Sequence, residues 1–253
     1  MTGVTLRGVA KTFPTGTQAL PPTDLAITAG SFVSLVGPSG CGKSTLLRLI
    51  AGLIPPSAGT VARAEGAMGF VFQSPTLMPW ATVLANTALP FRLSSGRLSS
   101  GRLEGNDGDG PAAEALARVG LTGFENAYPH ALSGGMQMRV SIARAIVTEP
   151  SFLLMDEPFA ALDEITRFRL NDDLLTLWQR NRWTVVFVTH SVREAVFLSE
   201  RVVVMSPRPG RIVADIKIDL PERSPALRQS HAFADQCAAV NAALSAAMTE
   251  TAA

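Results

Sequence analysis

Eight consecutive residues, Gly37-Pro38-Ser39-Gly40-Cys41-Gly42-Lys43-Ser44, hold the densest chemical information in the chain. They satisfy the pattern G-x-x-x-x-G-K-[ST], whose glycines let successive backbone N–H groups turn inward toward an anion. The pattern gains its weight where a strand feeds it and a helix leaves it, and both are legible here. Residues 31–37 are a short apolar run ending in Gly, and Leu46, Leu49, Ile50 and Leu53 recur at i, i+3, i+4 and i+7. A helix starting at Lys43 adds its N-terminal partial charge, so a polyphosphate can be held with few cations. Lys43 is expected to reach the β- and γ-phosphates, Ser44 to hold Mg2+ where it bridges them, and Thr45 to lie on the α-phosphate side.

Two further segments point to the same end of a sheet. Phe152-Leu153-Leu154-Met155 is the apolar run of a buried strand, and it ends in the adjacent carboxylates Asp156 and Glu157. Such a strand delivers them to the C-terminal edge of its sheet, where α/β sheets bind ligands. Asp156 is expected to hold Mg2+ through its water, and Glu157, aimed at the γ-phosphate, is the candidate general base. A neighbouring anion raises the pKa of that carboxylate and a metal lowers it, and the sequence leaves the balance open. Leu132-Ser133-Gly134-Gly135-Met136-Gln137 reads as an N-capping Ser, two glycines and a long helix to about Val147, a second anion site. A second site in one chain implies either a second phosphate contact or a nucleotide shared with another copy. His190 follows the apolar strand 184–189 and falls at the same sheet edge.

These side chains need elements to position them. The chain has 253 residues, 22 Lys and Arg against 21 Asp and Glu, and 47% hydrophobic residues. That composition supports a sizeable core, excludes a mainly disordered protein and argues against a general binder of the nucleic-acid backbone. No apolar run approaches the ~20 residues of a spanning helix, and the first eleven residues lack the apolar stretch of a secretory signal, so a cytosolic chain is expected. Cys41 and Cys237 occupy unrelated contexts, which implies two reduced thiols.

Apolar runs at 31–37, 151–155 and 184–189, each followed by a helical stretch, predict an α/β core of mostly parallel sheet flanked by helices. Ahead of it, residues 5–9 and 23–27 predict strands joined by a 14–22 loop, an antiparallel β subdomain whose edge faces the nucleotide. Residues 92–105 repeat Arg-Leu-Ser-Ser-Gly and then read Arg-Leu-Glu-Gly, a flexible surface insertion. Its three Arg could meet a partner or a phospholipid head group, while a duplication in a tolerant loop explains the repeat with no function. Helices are expected after Pro111 to about Val119, and over 225–248 as an Ala-rich amphipathic segment.

Taken in order, these pieces resemble the ATP-binding cassette ATPases, whose signature sequence is matched by residues 132–137. The resemblance covers nearly the whole chain: phosphate loop at 37–45, glutamine loop at Gln73, signature, carboxylate strand at 152–157, Ala161-Leu162-Asp163, and switch histidine at His190. It implies a P-loop NTPase core over 1–220 with an α-helical subdomain inserted at about 74–148, and a helical tail over 221–253. It further implies ATP and Mg2+ as cofactors, Gln73 contacting the metal and the attacking water, Glu157 as general base and His190 at the γ-phosphate. Ser133 and Gly134 would reach the γ-phosphate of a facing copy, with Gly135, Gln137 and Asp163 in the same nucleotide-binding set, so that two cassettes sandwich two ATP. Lys11-Thr12-Phe13 places Phe13 against adenine, with Phe where Tyr is common. Phe159-Ala160-Ala161 lacks the Ser often found before Asp163, and turnover is still expected.

Within the family, Met78-Pro79-Trp80-Ala81-Thr82-Val83, Asp163-Glu164-Ile165-Thr166-Arg167 and Ser206-Pro207-Arg208-Pro209-Gly210-Arg211-Ile212 look like importers of nitrate, sulfonate, taurine and related small anions. That likeness implies a peripheral subunit on the cytoplasmic side of the cell membrane, driving a separate transmembrane permease, with a periplasmic or extracellular solute-binding protein as indirect partner and no nucleic acid. Leu77, Met78 and Trp80 are the expected contacts for a permease helix, the alternative being that they pack inside the subdomain. A soluble cassette ATPase acting on nucleic acid or the ribosome is the competing class. The stretch between Gly42 and Ser133 carries no sustained heptads, and the chain holds one cassette, both of which oppose it. An inactive nucleotide-binding regulator is opposed by the presence of Lys43, Asp156, Glu157 and His190 together.

Overall fold

A computed structural model of the chain describes residues 2–94, 108–221 and 223–249. In chain order its elements are β1 (Thr2–Thr12), β2 (Gln18–Thr28), β3 (Phe32–Val36), α1 (Lys43–Ala51), β4 (Ala58–Arg63), β5 (Met68–Val71), α2 (Val83–Thr87), α3 (Leu89–Ser94), α4 (Asp109–Arg118), α5 (Gly134–Ile146), β6 (Phe152–Asp156), α6 (Glu164–Asn181), β7 (Thr184–Val188), α7 (Val192–Leu198), β8 (Arg201–Met205), β9 (Ile212–Lys217) and α8 (His231–Thr249). The chain separates into two compact units, one of residues 1–65, 154–157 and 178–253, the other of residues 66–153 and 158–177.

Two sheets build the first unit. One is antiparallel in the order β2-β1-β4, and the other runs β6-β7-β3-β8-β9, with β6 entering the unit at Leu154. β3 lies parallel to β7, pairing Phe32 with Val185 and Leu35 with Val188, and parallel to β8, while β9 closes the sheet antiparallel to β8. Every residue of β3 and β7 is buried. Strands covered on both faces read as near-continuous apolar runs, which is why these two are visible in the sequence despite Ser34 and Thr184. α1 packs on β7, α7 on β3 and α8 on β8.

The N-terminal hairpin differs from the expectation. β1 and β2 extend beyond the predicted strands, and the connection shrinks to residues 13–17, closed by the Gly16 N–H donating to Phe13 O and the Phe13 N–H donating to Thr17 O. Pro21 and Pro22 lie inside β2 rather than in a loop. β2 is the edge of its sheet, and its register with β1 shifts between the Val9–Thr23 and Lys11–Leu20 pairs, so the two prolines sit at an irregularity on an edge strand, where missing N–H donors are tolerated. The C-terminal helix also starts later than predicted. Residues 225–229 form a 3-10 turn, and Ser230 Oγ then accepts the Phe233 N–H at 3.2 Å and starts α8 afresh. α8 buries Phe233, Cys237, Val240 and Ala247, and both cysteines are unpaired and buried, as expected.

In the second unit, α2, α4 and α5 pack on one another and β5 lies on α5. The approach is so close that a Cβ at Gly69 would come 2.3 Å from the Ala145 carbonyl oxygen. The Ser151 and Phe152 N–H groups both donate to Ala67 O, setting the start of β6 beside β5. Residues 95–107, which include most of the tandem repeat, lie outside the described residues. Its first Arg is no free surface cation: Arg92 is buried and donates to Asp109 Oδ1 at 2.8 Å.

Candidate functional site

The parallel register of β3 and β7 brings Val36 and Val188 to one edge of the sheet, and β6 ends there too, since the Glu157 N–H donates to Val188 O at 2.9 Å. The phosphate loop leaves that edge at Gly37. A Cβ at Gly37 would lie 2.7 Å from Met205 O, and one at Gly42, where φ is 110°, would lie 2.9 Å from Ala19 O. The glycines therefore let β8 and the start of β2 close on the loop. Gly42 caps α1 without a side-chain acceptor, so the first N–H groups of the helix remain directed at the loop. Ser39 and Gly40 are exposed, Pro38 and Thr45 half-buried.

Lys43 is 4% exposed. Its Nζ donates to Gly37 O at 2.8 Å and Pro38 O at 3.0 Å, with Cys41 Sγ at 3.9 Å. The ammonium is thus held under the loop, in reach of any anion the backbone amides gather. Burial pushes the Cys41 thiol up from its ordinary value, with Lys43 opposing.

Ser44 Oγ donates to Asp156 Oδ1 at 2.7 Å. Burial raises the Asp156 carboxyl, an effect opposed by the Ser44 hydrogen bond and by Arg48. A hydroxyl and a carboxylate, both hard oxygen donors beside a phosphate loop, fit Mg2+, which takes few protein ligands and completes its shell with phosphates and water. Among the described residues no group of three or more His, Cys, Asp or Glu is placed to hold a metal.

Glu157 has φ 47°, the left-handed region that a side chain such as Glu adopts at a cost. Its Oε2 lies 3.3 Å from His190 Nδ1, and their side chains are 20% and 52% exposed. With Glu157 ionised, the carboxylate accepts and Nδ1 carries the proton. His190 is held between two pins, the Thr189 N–H donating to Leu35 O and the Ser191 side chain capping α7 through the Glu194 N–H. Sequence directs both Glu157 and His190 toward a γ-phosphate, but the contact between the two side chains is visible only in the fold.

Phe13 sits on the β1–β2 turn, 36% exposed, with Lys11 Nζ 5.6 Å from its ring centre. It follows Thr12, which pairs with Gln18, one residue before the Ala19 that touches Gly42. Residues 206–211 were read only as a family likeness, yet they pack on the phosphate loop. Arg208 donates to Gly40 O through Nε at 3.3 Å and Nη2 at 3.2 Å, and the Gly210 N–H donates to Ala19 O at 3.1 Å. Pro-Gly punctuation directly after a buried strand was the available signal of a tight return.

The remaining candidates belong to the second unit. Gln73 is exposed, two residues beyond β5. Ser133 is the N-cap of α5, its Oγ accepting the Met136 N–H at 3.3 Å. A Cβ at Gly134 would meet only Leu162 Cδ2, at 3.8 Å, whereas one at Gly135 would meet Thr166 Cγ2 at 2.7 Å. The second glycine thus allows α5 and α6 to approach. The Gln137 side chain folds back, Nε2 donating to Pro129 O and Leu132 O. Asp163 Oδ1 accepts the Thr166 N–H at 2.9 Å, and that bond holds its carboxyl below the usual range.

Of the apolar trio, Trp80 is 71% exposed, and Leu77 and Met78 are half-buried. What presents Trp80 is Asn86, fully buried on α2. Its Oδ1 accepts the Met78 N–H at 2.7 Å, and its Nδ2 donates to Met78 O, Ala81 O and Thr82 O at 3.0–3.1 Å. Asn86→Leu keeps the volume and strands these buried partners. It is expected to cost about 2–4 kcal/mol, measured as a lower urea midpoint at unchanged slope.

Residues 20–160 match the family model described as ABC transporter. The chain is 50% identical over 210 residues to an uncharacterized ABC transporter ATP-binding protein of Methanocaldococcus jannaschii, spanning 80% of this chain and 76% of that one. It is 46% identical over 205 residues to the aliphatic sulfonates import ATP-binding protein SsuB 2 of Pseudomonas syringae pv. tomato, spanning 81% of this chain and 83% of that one. In structure it is similar to dimeric MJ0796, a bacterial ABC transporter cassette, with a TM-score of 0.73 and 34% identity over 86% of this chain and 100% of the other.

Proposed function

Because the chain belongs to the ABC transporter family and is an ATP-binding ATPase of it, we propose that it is the nucleotide-binding subunit of an importer for a small anion of the sulfonate, taurine or nitrate type. The observation that carries the site assignment is the pair of contacts beside the phosphate loop, Ser44 with Asp156 and Glu157 with His190. The cargo class is supported by the 46% identity to a sulfonate import protein.

In this reading the amides of residues 37–45 and the N-terminus of α1 hold the phosphates of ATP. Lys43 turns its ammonium from the Gly37 and Pro38 carbonyls to the β- and γ-phosphates. Ser44, and Asp156 through a water, would hold Mg2+, which would supply positive charge against the phosphates. Glu157 takes the proton of the attacking water, and His190 orients that carboxylate through Nδ1 and reaches the γ-phosphate. Phe13 stacks on adenine. Family likeness assigns Gln73 to the metal and the water, and assigns the exposed start of α5, Ser133 and Gly134, to the γ-phosphate held by a second copy. Gly135, Gln137 and Asp163 shape that surface through the contacts described above. Two copies closing on two ATP, then reopening after hydrolysis, drive the permease.

No helix among the described residues is long and apolar enough to cross a membrane. The reading places the subunit peripherally on the cytoplasmic side of the cell membrane, with Trp80 meeting a permease helix and a solute-binding protein acting on the far side. The test is isolation of the tagged protein from its native membranes in mild detergent, with mass spectrometry of what accompanies it. A multi-span permease is expected, and Trp80→Ala is expected to lower its recovery about tenfold or more, as loss of an aromatic anchor does. Recovery from the soluble fraction alone, with ribosomes, nucleic acid or nothing, would overturn the transport reading and favour the competing class.

A further inference from the structure

Residues 72–82 of the second unit connect β5 to α2 without regular structure of their own. Asn86 grips the later half of this connection. The earlier half is gripped by Arg144, in the last turn of α5. Its Nη1 donates to Thr76 O at 3.0 Å, and its Nη2 donates to Pro75 O at 2.8 Å and to Thr76 Oγ1 at 3.0 Å. Thr76 has φ 48°, a conformation that β-branched residues avoid. One guanidinium therefore takes both the carbonyl and the hydroxyl of the residue whose backbone is least willing to stay where it is. Arg144 is half-buried, its charge disfavoured by burial and met here by three neutral oxygens. Holding the loop is thus what this cation is placed to do.

We infer that Arg144 is a positioning residue for the loop that follows Gln73: it holds Thr76 in the left-handed conformation and so fixes where Gln73 and Trp80, on either side, are presented relative to α5. The same helix carries Ser133 and Gly134 at its other end, so the loop and the start of α5 move as one piece. An Arg near a helix C-terminus also complements the helix dipole, but a Lys would do that equally well. The planar fork that reaches two adjacent carbonyls and a hydroxyl is specific to Arg. The restraint itself is independent of the ATPase assignment, while its effect on turnover rests on the role proposed for Gln73.

The experiment compares Arg144→Lys and Arg144→Ala with the parent protein by hydrogen exchange of the amides in 73–82 and by steady-state ATP hydrolysis. Exchange is expected to quicken in that loop by about tenfold or more, with the amides of β3 and β7 unchanged. kcat is expected to fall about 10–100-fold while KM for ATP stays within about threefold, as for a misplaced catalytic group. Adding Thr76→Gly to Arg144→Lys should recover part of kcat, because glycine enters the left-handed region freely. A role for Arg144 in helix packing alone would show no such recovery. If the Ala variant does not fold, the Lys variant carries the test. Unchanged exchange in 73–82 would overturn the inference. Quicker exchange with an unchanged kcat would uphold the restraint and overturn the role given to Gln73.

Discussion

Glu157→Gln is expected to lower kcat for ATP hydrolysis by about a hundredfold to ten-thousandfold while leaving ATP binding in place. The substitution keeps the shape of the side chain and an oxygen that can face His190 Nδ1, now at 3.3 Å from Glu157 Oε2. It removes the one feature that a general base requires, an acceptor basic enough to take a proton from water. Lys43, Ser44 and Asp156 keep their contacts, so the phosphate loop and the proposed Mg2+ ligands are undisturbed. Loss of the neighbouring charge also removes one of the influences that raise Asp156, which favours its ionised, metal-binding form. Nucleotide binding measured at equilibrium should therefore be unchanged or tighter, and single-turnover hydrolysis should be the step that stalls. Dimers that form with ATP should accumulate, seen as a shift in gel filtration. A variant that hydrolyses ATP at the parent rate would exclude Glu157 as the base.

Gly210→Ala is expected to raise KM for ATP about tenfold or more and to destabilise the fold by about 2–3 kcal/mol. A Cβ there would lie 1.9 Å from Cys41 O, with Cys41 C at 3.1 Å and Met205 Cε at 3.0 Å. The methionine end can swing aside, but the Cys41 carbonyl belongs to the phosphate loop and can yield only if the loop does. Nor can residue 210 retreat easily, because its N–H is bonded to Ala19 O. The added methyl therefore pushes on the peptides that would hold the phosphates. Gly110→Ala is the matched control, since nothing lies within 4 Å of the added carbon. It should leave KM and the melting temperature near parent values. An Ala at 210 that bound ATP normally would show that the loop does not depend on residues 206–211 for its position.

The parts of this site that sequence revealed are those in which chemistry is local. Glycines, lysine and serine of the phosphate loop are consecutive, and the strand and helix around them announce themselves by apolar period. Ser133 as an N-cap is likewise a matter of four neighbouring residues, and it stands as predicted. What escaped notice depends on partners far along the chain. Arg208 meets Gly40, and Gly210 meets both Ala19 and Cys41, across more than 160 positions that no local pattern spans. Asn86, Arg92 and Arg144 look in sequence like the polar face of helices, and only the packed structure shows each gripping backbone or a carboxylate. Pro21 and Pro22 signalled a loop because their cost in a strand is usually decisive. Whether it is depends on the strand being central or at an edge, which is a property of the sheet and not of the residues.

If Glu157 is the base proposed above, its left-handed backbone sets folding and activity against each other at one position. Glycine or asparagine would rest in that conformation more easily than glutamate does. A search for thermostable variants that ranks substitutions by melting temperature alone would thus be drawn to residue 157, and on the proposed role each success there is expected to lose turnover. Directed evolution of this chain for robustness needs a turnover screen in parallel, or a codon at 157 that is left out of the library.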